Sequence, residues 1–176
     1  MRKTSSRSKS QGEPAAVDVT VLPACNNTAL RRAARRLGSL YDDALAPLGL
    51  KATQMGLLAE IERMKAAGAG QAPALQDLAL NLAIQISALT HALRPLVRDG
   101  MVELQVDEQD KRVKRAALTR AGTDRMHQAY SRWAAANQRV EDVLGPESAA
   151  ALRAMADYVA SDDFLSAYGL DGEANA

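Results

Sequence analysis

Apolar residues recur along this chain at two different spacings, and the change from one to the other divides it into elements. From residue 27 the spacing is helical: Leu30, Ala33, Ala34, Leu37, Tyr41, Leu45 and Leu48 return every three or four positions. Asn27 or Thr28 is the expected N-cap, and Pro47 with Gly49 ends the run. A second helix is predicted from near Thr53, with Met55, Leu58, Ile61 and Met64 on one side, until "AAGAGQAP" breaks it. Leu75, Leu78, Ala79 and Leu82 then form a short amphipathic helix, a break falls at residues 81–84, and Ile86, Leu89, Leu93, Leu96 and Val97 begin another. Two short helices joined by a tight turn predict a helix-turn-helix. Pro95 is expected to kink the second of them and Gly100 to end it.

The period then drops to two. Val102, Leu104 and Val106 alternate with Glu103, Gln105 and Asp107, and residues 113–118 read as the returning strand. A β-hairpin placed directly after a helix-turn-helix predicts a winged helix. Thr119 is the expected cap of a long helix carrying Met126, Tyr130, Trp133, Val140, Val143 and Leu144. "LGPES" interrupts it, and Pro146 opens a last helix with Leu152, Met155, Ala156 and Val159 on its apolar face. The fold class is therefore mainly α, α+β in detail: a winged helix-turn-helix framed by long N- and C-terminal helices. Those outer helices carry more apolar residues than one winged-helix core needs, and a two-fold partner would cover them. The expected divisions are a disordered basic tail over 1–23, an N-terminal dimerisation helix over 24–50, the winged helix-turn-helix over 51–120, C-terminal dimerisation helices over 121–165, and a flexible tail over 166–176.

Composition narrows the function classes. The chain has 176 residues, 47% of them hydrophobic, enough for one good core. No apolar run approaches the length of a membrane span. The basic, serine-rich opening "MRKTSSRSKSQGEP" has no apolar stretch behind it, so no secretory signal is expected and the cytoplasm is the expected compartment. The single cysteine, Cys25, agrees with a reducing environment. A net charge of +1 means that any nucleic-acid contact must rest on local positive charge. No Gly-rich phosphate loop or cysteine pair is present, and the two histidines, His91 and His127, lack metal-ligand spacing. The expectation is a protein that is not an enzyme, with no catalytic residues, no metal and no cofactor.

Two stretches carry candidate chemistry. On the second short helix, Ser87, His91, Arg94 and Arg98 form a stripe opposite Ile86, Leu89, Leu93 and Leu96, flanked by Gln85 and Thr90. Gln pairs bidentately with adenine, Arg with guanine, and Ser or Thr with either bases or phosphate. A solvated helix face would look the same, but the neighbouring hairpin favours DNA. Its tip, "VDEQDKRVKRAALT", holds Lys111, Arg112, Lys114 and Arg115, cations suited to the sugar-phosphate backbone or the minor groove. The acidic members Asp107, Glu108 and Asp110 would repel phosphate if all faced it, so Asp110 is expected to fold back and hold an arginine while Arg112 reaches outward.

The succession "LRRAARRLGSLYDDALAPLGL", "LQDLALNL", "LTHALRPLVRDGMV", the wing "DKR" and "ALTRAG" resembles the MarR family of winged-helix transcriptional regulators over residues 24–160. The Asp-x-Arg wing followed by Leu-Thr-x-x-Gly is its most specific part. The resemblance implies a homodimer that binds palindromic, inverted-repeat double-stranded DNA and acts as a repressor released by a small aromatic or acidic effector. It implies that Arg112 enters the minor groove with Lys111 beside it, that Asp110 orients an arginine, and that Ser87, Thr90, His91 and Arg94 lie in the major groove. It further implies an effector cleft between the dimerisation helices and the winged helix, for which Arg31, Arg35, Tyr41, Met55 and His91 are candidates by position and chemistry. Arg31, Arg32, Arg35 and Arg36 of "RRAARR" cannot share one buried face, so most are expected to be solvated. Two alternatives stand beside this one. Cys25, just before a helix N-terminus, would make the chain a redox-sensing repressor, with Tyr41 as hydrogen-bond partner in one branch of the family. A helical dimer that binds a protein partner without specific DNA contact would instead show a disabled wing or stripe.

Overall fold

The computed structural model describes residues 25–169. The tail expected over 1–23 lies outside the described residues, as does most of the one expected after 165. Seven α-helices and one hairpin follow in order: α1 (Asn26–Leu45), a 3-10 turn (Ala46–Leu48), α2 (Ala52–Ala67), α3 (Leu75–Asn81), α4 (Ile86–Arg98), β1 (Val102–Val106), β2 (Lys114–Leu118), α5 (Arg120–Leu144), α6 (Pro146–Val159) and α7 (Asp162–Tyr168). Residues 166–168, expected in a tail, are the last turn of α7. The helix is started by Ser161, whose hydroxyl accepts the Phe164 N–H at 3.3 Å, with Asp162 and Asp163 in the first turn to complement the helix dipole.

The core of the winged helix is built where α2, α3 and α4 bring their apolar faces together over the base of the hairpin. Leu57, Leu58, Ile61, Leu78, Leu89, Leu93 and Leu96 are buried there with Val102 and Ala116. Each fully buried leucine contributes about 1.5–3 kcal/mol relative to exposure. A second cluster, Leu45, Leu50, Met55 and Ala129, ties the end of α1 and the start of α2 to α5. Helix α2 thus serves two cores, through Met55 on one and Leu57, Leu58 and Ile61 on the other.

Turn chemistry sets the joints. Between α3 and α4, Ala83 takes a left-handed conformation (φ 51°), with its N–H donated to Leu80 O and the Ile84 N–H to Ala79 O. This is a strained position for a residue with a Cβ. After α4, Gly100 (φ 70°) makes the reversal into the hairpin. Helix α4 runs unbroken through Pro95 to Arg98. At the other end of the chain, α1 is capped two or three residues earlier than expected: Cys25 holds the N-cap position, not Asn27 or Thr28.

The hairpin pairs Val102 with Leu118, Leu104 with Ala116 and Val106 with Lys114. Strand alternation predicts one buried apolar face, yet Val102 alone is buried in β1; Leu104 is 41% and Val106 52% exposed. The helices cover only the base of the hairpin, and its outer half projects from the core as a wing.

Candidate nucleic-acid interface

Helix α4 presents its polar side outward because Leu89, Leu93 and Leu96 anchor the other side in the core. Gln85 stands at its N-cap position in extended conformation, and Gln85, Ser87, Thr90, His91 and Arg94 are all exposed. The Thr90 hydroxyl donates back to Ile86 O at 2.8 Å. Arg98 is held by its neighbour Asp99, with Nε 2.8 Å from Oδ1, whereas Arg94 makes no ion pair among the described residues.

The wing is held by a different aspartate from the one expected. Among the described residues Asp110 binds no guanidinium; its Oδ1 accepts the Arg112 backbone N–H at 2.9 Å and shapes the turn. Asp107 is the carboxylate that orients an arginine. Its Oδ2 lies 2.5 Å from Arg115 Nε, and its Oδ1 accepts the Gln109 and Asp110 N–H groups, both at 2.9 Å. Arg115 in turn donates to Ala72 O at 2.7 Å, and Ala116 N–H to Pro73 O at 3.0 Å, which fastens the wing to the loop before α3. Register explains the choice. Gln105 faces Arg115 across the ladder, so Asp107, two residues on, shares the face of Arg115 as its diagonal neighbour. With Asp107 and Arg115 engaged in this lock, Lys111 and Arg112 remain exposed at the tip.

The Asp110 N–H bond first, then the Arg115 guanidinium and the Gln109 N–H, lower the Asp107 carboxyl from its ordinary 3.8 to about 2. A carboxylate held down in the folded state adds stability above its unfolded pKa and loses it as pH falls through the folded one. Urea unfolding midpoints are therefore expected to drop between about pH 4 and pH 2, and Asp107→Asn to flatten that stretch of the profile while lowering stability at neutral pH. An identical profile for the variant would remove Asp107 from the lock.

The joint behind the wing explains "LTRAG". Thr119 caps α5 as expected, its Oγ1 accepting the Gly122 N–H at 3.1 Å and donating to Gly100 O at 2.7 Å. Gly122 is buried against the backbone of Met101, and a Cβ there would lie 2.0 Å from Met101 O.

The remaining candidates are dispersed. Arg31, Arg32, Arg35 and Arg36 are all exposed on α1. Met55 is buried in the second core cluster. Tyr41 donates to Asn137 Oδ1 at 2.8 Å and stacks on Trp133 with centroids 6.3 Å apart; burial and then Glu141 raise its pKa. Asn137 and Arg153 both donate to Glu141, so Tyr41 belongs to a network that joins α1, α5 and α6. Arg31, Arg35, Tyr41 and Met55 line neither the cavity between α2 and α4 nor the cleft between α1, α5 and α6. Cys25 is exposed at the start of α1, with its thiol lowered by the Thr28 hydroxyl and backbone N–H. Tyr41 lies sixteen residues further along the same helix, about 24 Å away at 1.5 Å per residue, so it is no partner for that thiol within the chain. Among the described residues no cluster of metal-ligating side chains occurs, and no helix is long and apolar enough to cross a membrane.

A helix-turn-helix with an exposed polar stripe, beside a wing locked to the loop before α3 and cationic at its tip, defines a winged-helix DNA-binding regulator. No protein-family model and no curated protein matches the chain. Among solved structures it is similar to the Mycobacterium tuberculosis transcriptional regulator MosR in complex with DNA, with 32% identity and a TM-score of 0.65 over 76% of this chain and 92% of that one. It also shares its fold with a mutant of Escherichia coli MarR complexed with operator DNA (23% identity, TM-score 0.65, 76% of this chain and 91% of that one). A third likeness is to Rhodococcus jostii CouR bound to p-coumaroyl-CoA (20% identity, TM-score 0.64, 77% and 92%). The chain belongs to the MarR family of transcriptional regulators. The structures it resembles are regulators, a non-enzyme family.

Proposed function

We propose that this regulator is a cytoplasmic repressor that binds inverted-repeat operator DNA as a homodimer and is released by a small aromatic or acidic effector. The observation that carries the DNA reading is the wing lock. With Asp107 and Arg115 bound to each other and to the loop before α3, Arg112 and Lys111 are left exposed at the tip beside the α4 stripe. In this reading Arg112 enters the minor groove, and Gln85, Ser87 and Thr90 on the first turn of α4 meet base edges in the major groove. Asp110 contributes by shaping the turn that presents Arg112.

The dimer reading rests on apolar surface left open in the single chain. An apolar cleft of about 880 Å³ between α1, α5 and α6 is lined by Leu37, Leu40, Val140, Val143 and Leu152, and Val143 is 86% exposed. Covering it with the same helices of a second copy gives an isologous two-fold contact. Two recognition helices about one DNA turn apart, roughly 34 Å, would match an inverted repeat. The effector part of the reading is supported by CouR, which was solved bound to p-coumaroyl-CoA.

Fluorescence anisotropy against labelled DNA from the chain's own upstream region, with excess random competitor and at two salt concentrations, tests the proposal. Competitor-resistant binding that weakens with salt is expected. Binding equal to that of random DNA would sink the operator reading and favour a dimer that serves a protein partner. The exposed, acidified Cys25 supports a second reading, a redox-sensing repressor. In it, peroxide releases the DNA from the wild type and leaves Cys25→Ser bound.

A further inference from the structure

A cavity of about 590 Å³ opens between the start of α2 and the outer side of α4. Lys51, Thr53 and Gln54 line it from α2, and His91, Arg94 and Arg98 from α4, with the backs of Ala92 and Pro95 between them. Three of these side chains are permanent cations, and no carboxylate lines the cavity. Two of the cations are each paired with one carboxylate outside the lining: Asp42 lies 3.2 Å from Lys51 Nζ, and Asp99 binds Arg98. Arg94 has no such partner among the described residues. The start of α2 itself is capped, since Asp42 Oδ1 accepts the Ala52 N–H at 2.7 Å and Gln54 Oε1 the Lys51 N–H at 2.9 Å. The attraction for an anion therefore comes from the side chains rather than from the helix dipole.

We infer that this basic cavity is an oxyanion site which clamps a DNA backbone phosphate, so that Arg94 serves as a phosphate contact and not as a reader of bases. The inference rests on the DNA-binding reading above and divides the α4 stripe in two. Gln85, Ser87 and Thr90, at the N-terminal end of the helix, remain free to meet base edges. His91, Arg94 and Arg98 line the cavity together with Lys51. An α-helix enters the major groove with one end, and residues along its flank are left to face the strand at the groove's edge. A compact tetrahedral oxyanion carrying one charge suits two or three converging cations better than a planar base edge does.

The test measures anisotropy of wild type, Arg94→Ala, Arg94→Lys and Lys51→Gln on the upstream duplex and on a random-sequence duplex, across a salt series. For the clamp, Arg94→Ala and Lys51→Gln each weaken binding by the same factor on both duplexes, about tenfold for Arg94→Ala, and lower the salt slope by about one. Arg94→Lys restores affinity and slope, because a point charge serves a phosphate but cannot replace a bidentate guanine contact. Loss confined to the upstream duplex, unrepaired by lysine, would make Arg94 a base reader and overturn the clamp. An unchanged salt slope would overturn it as well. Sodium phosphate, as a competitor for the clamp, is expected to displace DNA from the wild type more than sodium chloride does at equal ionic strength, and Arg94→Ala to abolish the excess; an excess that survives in Arg94→Ala would overturn the clamp. Wild type without competitor-resistant DNA binding sinks the regulator reading itself. Wild type that binds while the variants keep its slope sinks only the clamp.

Discussion

Gly122→Ala is expected to be among the most damaging single-methyl changes in this protein. The added Cβ would sit 2.0 Å from Met101 O and 2.9 Å from Met101 C, distances no packed carbon tolerates. Relief by a side-chain rotation is impossible because the obstacle is backbone. Nor can Met101 move freely: its N–H donates to Leu96 O at 2.8 Å and its carbonyl accepts the Thr119 N–H at 3.1 Å. The same few residues end α4, start β1 and cap α5, so any shift is shared among the recognition helix, the wing and the long helix. The cost should reach or exceed the upper end of the roughly 1–3 kcal/mol typical of overpacking. For a chain of this size that is a fall in Tm of about 10 °C, measured by circular dichroism at 222 nm. An unchanged Tm would mean that α5 can pivot away from Met101, and that the close approach is not what requires glycine after Leu-Thr-x-x.

Arg112→Ala should act on a different property. Arg112 is exposed, its side chain takes part in no ion pair among the described residues, and only its backbone N–H is engaged by Asp110. Removing the side chain is expected to leave the turn and the fold untouched. Operator affinity is expected to fall by roughly 1–3 kcal/mol, about five- to 150-fold, if the guanidinium enters the minor groove. Unaltered affinity would end the role assigned to it. Arg115→Ala offers the informative contrast. It too should weaken DNA binding, but by freeing the wing from Asp107 and from Ala72 O. Amide hydrogen exchange over residues 107–113 should therefore accelerate in Arg115→Ala and stay unchanged in Arg112→Ala. Equal exchange in both variants would show that the lock does not hold the wing.

These two outcomes separate what was legible in the sequence from what was not. Much of the fold could be read from spacing. The period-3.6 runs located the helices of the helix-turn-helix and the long α5, the change to period two located the hairpin, and Thr119 announced the start of α5 through a side-chain cap that needs only its own neighbours. The exposure of the α4 stripe followed from the same logic, because residues four and three apart on a helix share a face whatever lies beyond it. The short α7 went unread although Ser161, Asp162 and Asp163 form a local start signal, since its few residues carry too little periodicity to stand out.

What the sequence determined by itself was therefore whatever depends on neighbours along one element: helix faces, caps, turns and the identity of a wing. The tertiary structure decided everything that depends on how elements meet. It chose Asp107 over Asp110 as the arginine's partner, because the choice turns on hairpin register and not on order in the chain. It exposed Leu104 and Val106, because coverage ends where the helices end. It required glycine at 122, because another segment's carbonyl passes there. It gathered Lys51 with Arg94 and Arg98 around one cavity although some forty residues separate them, because packing of α2 against the rest of the winged helix brings distant charges together. Such contacts have no signature in local sequence, since side-chain neighbours across elements are set by the folded geometry of the backbone and not by spacing along it.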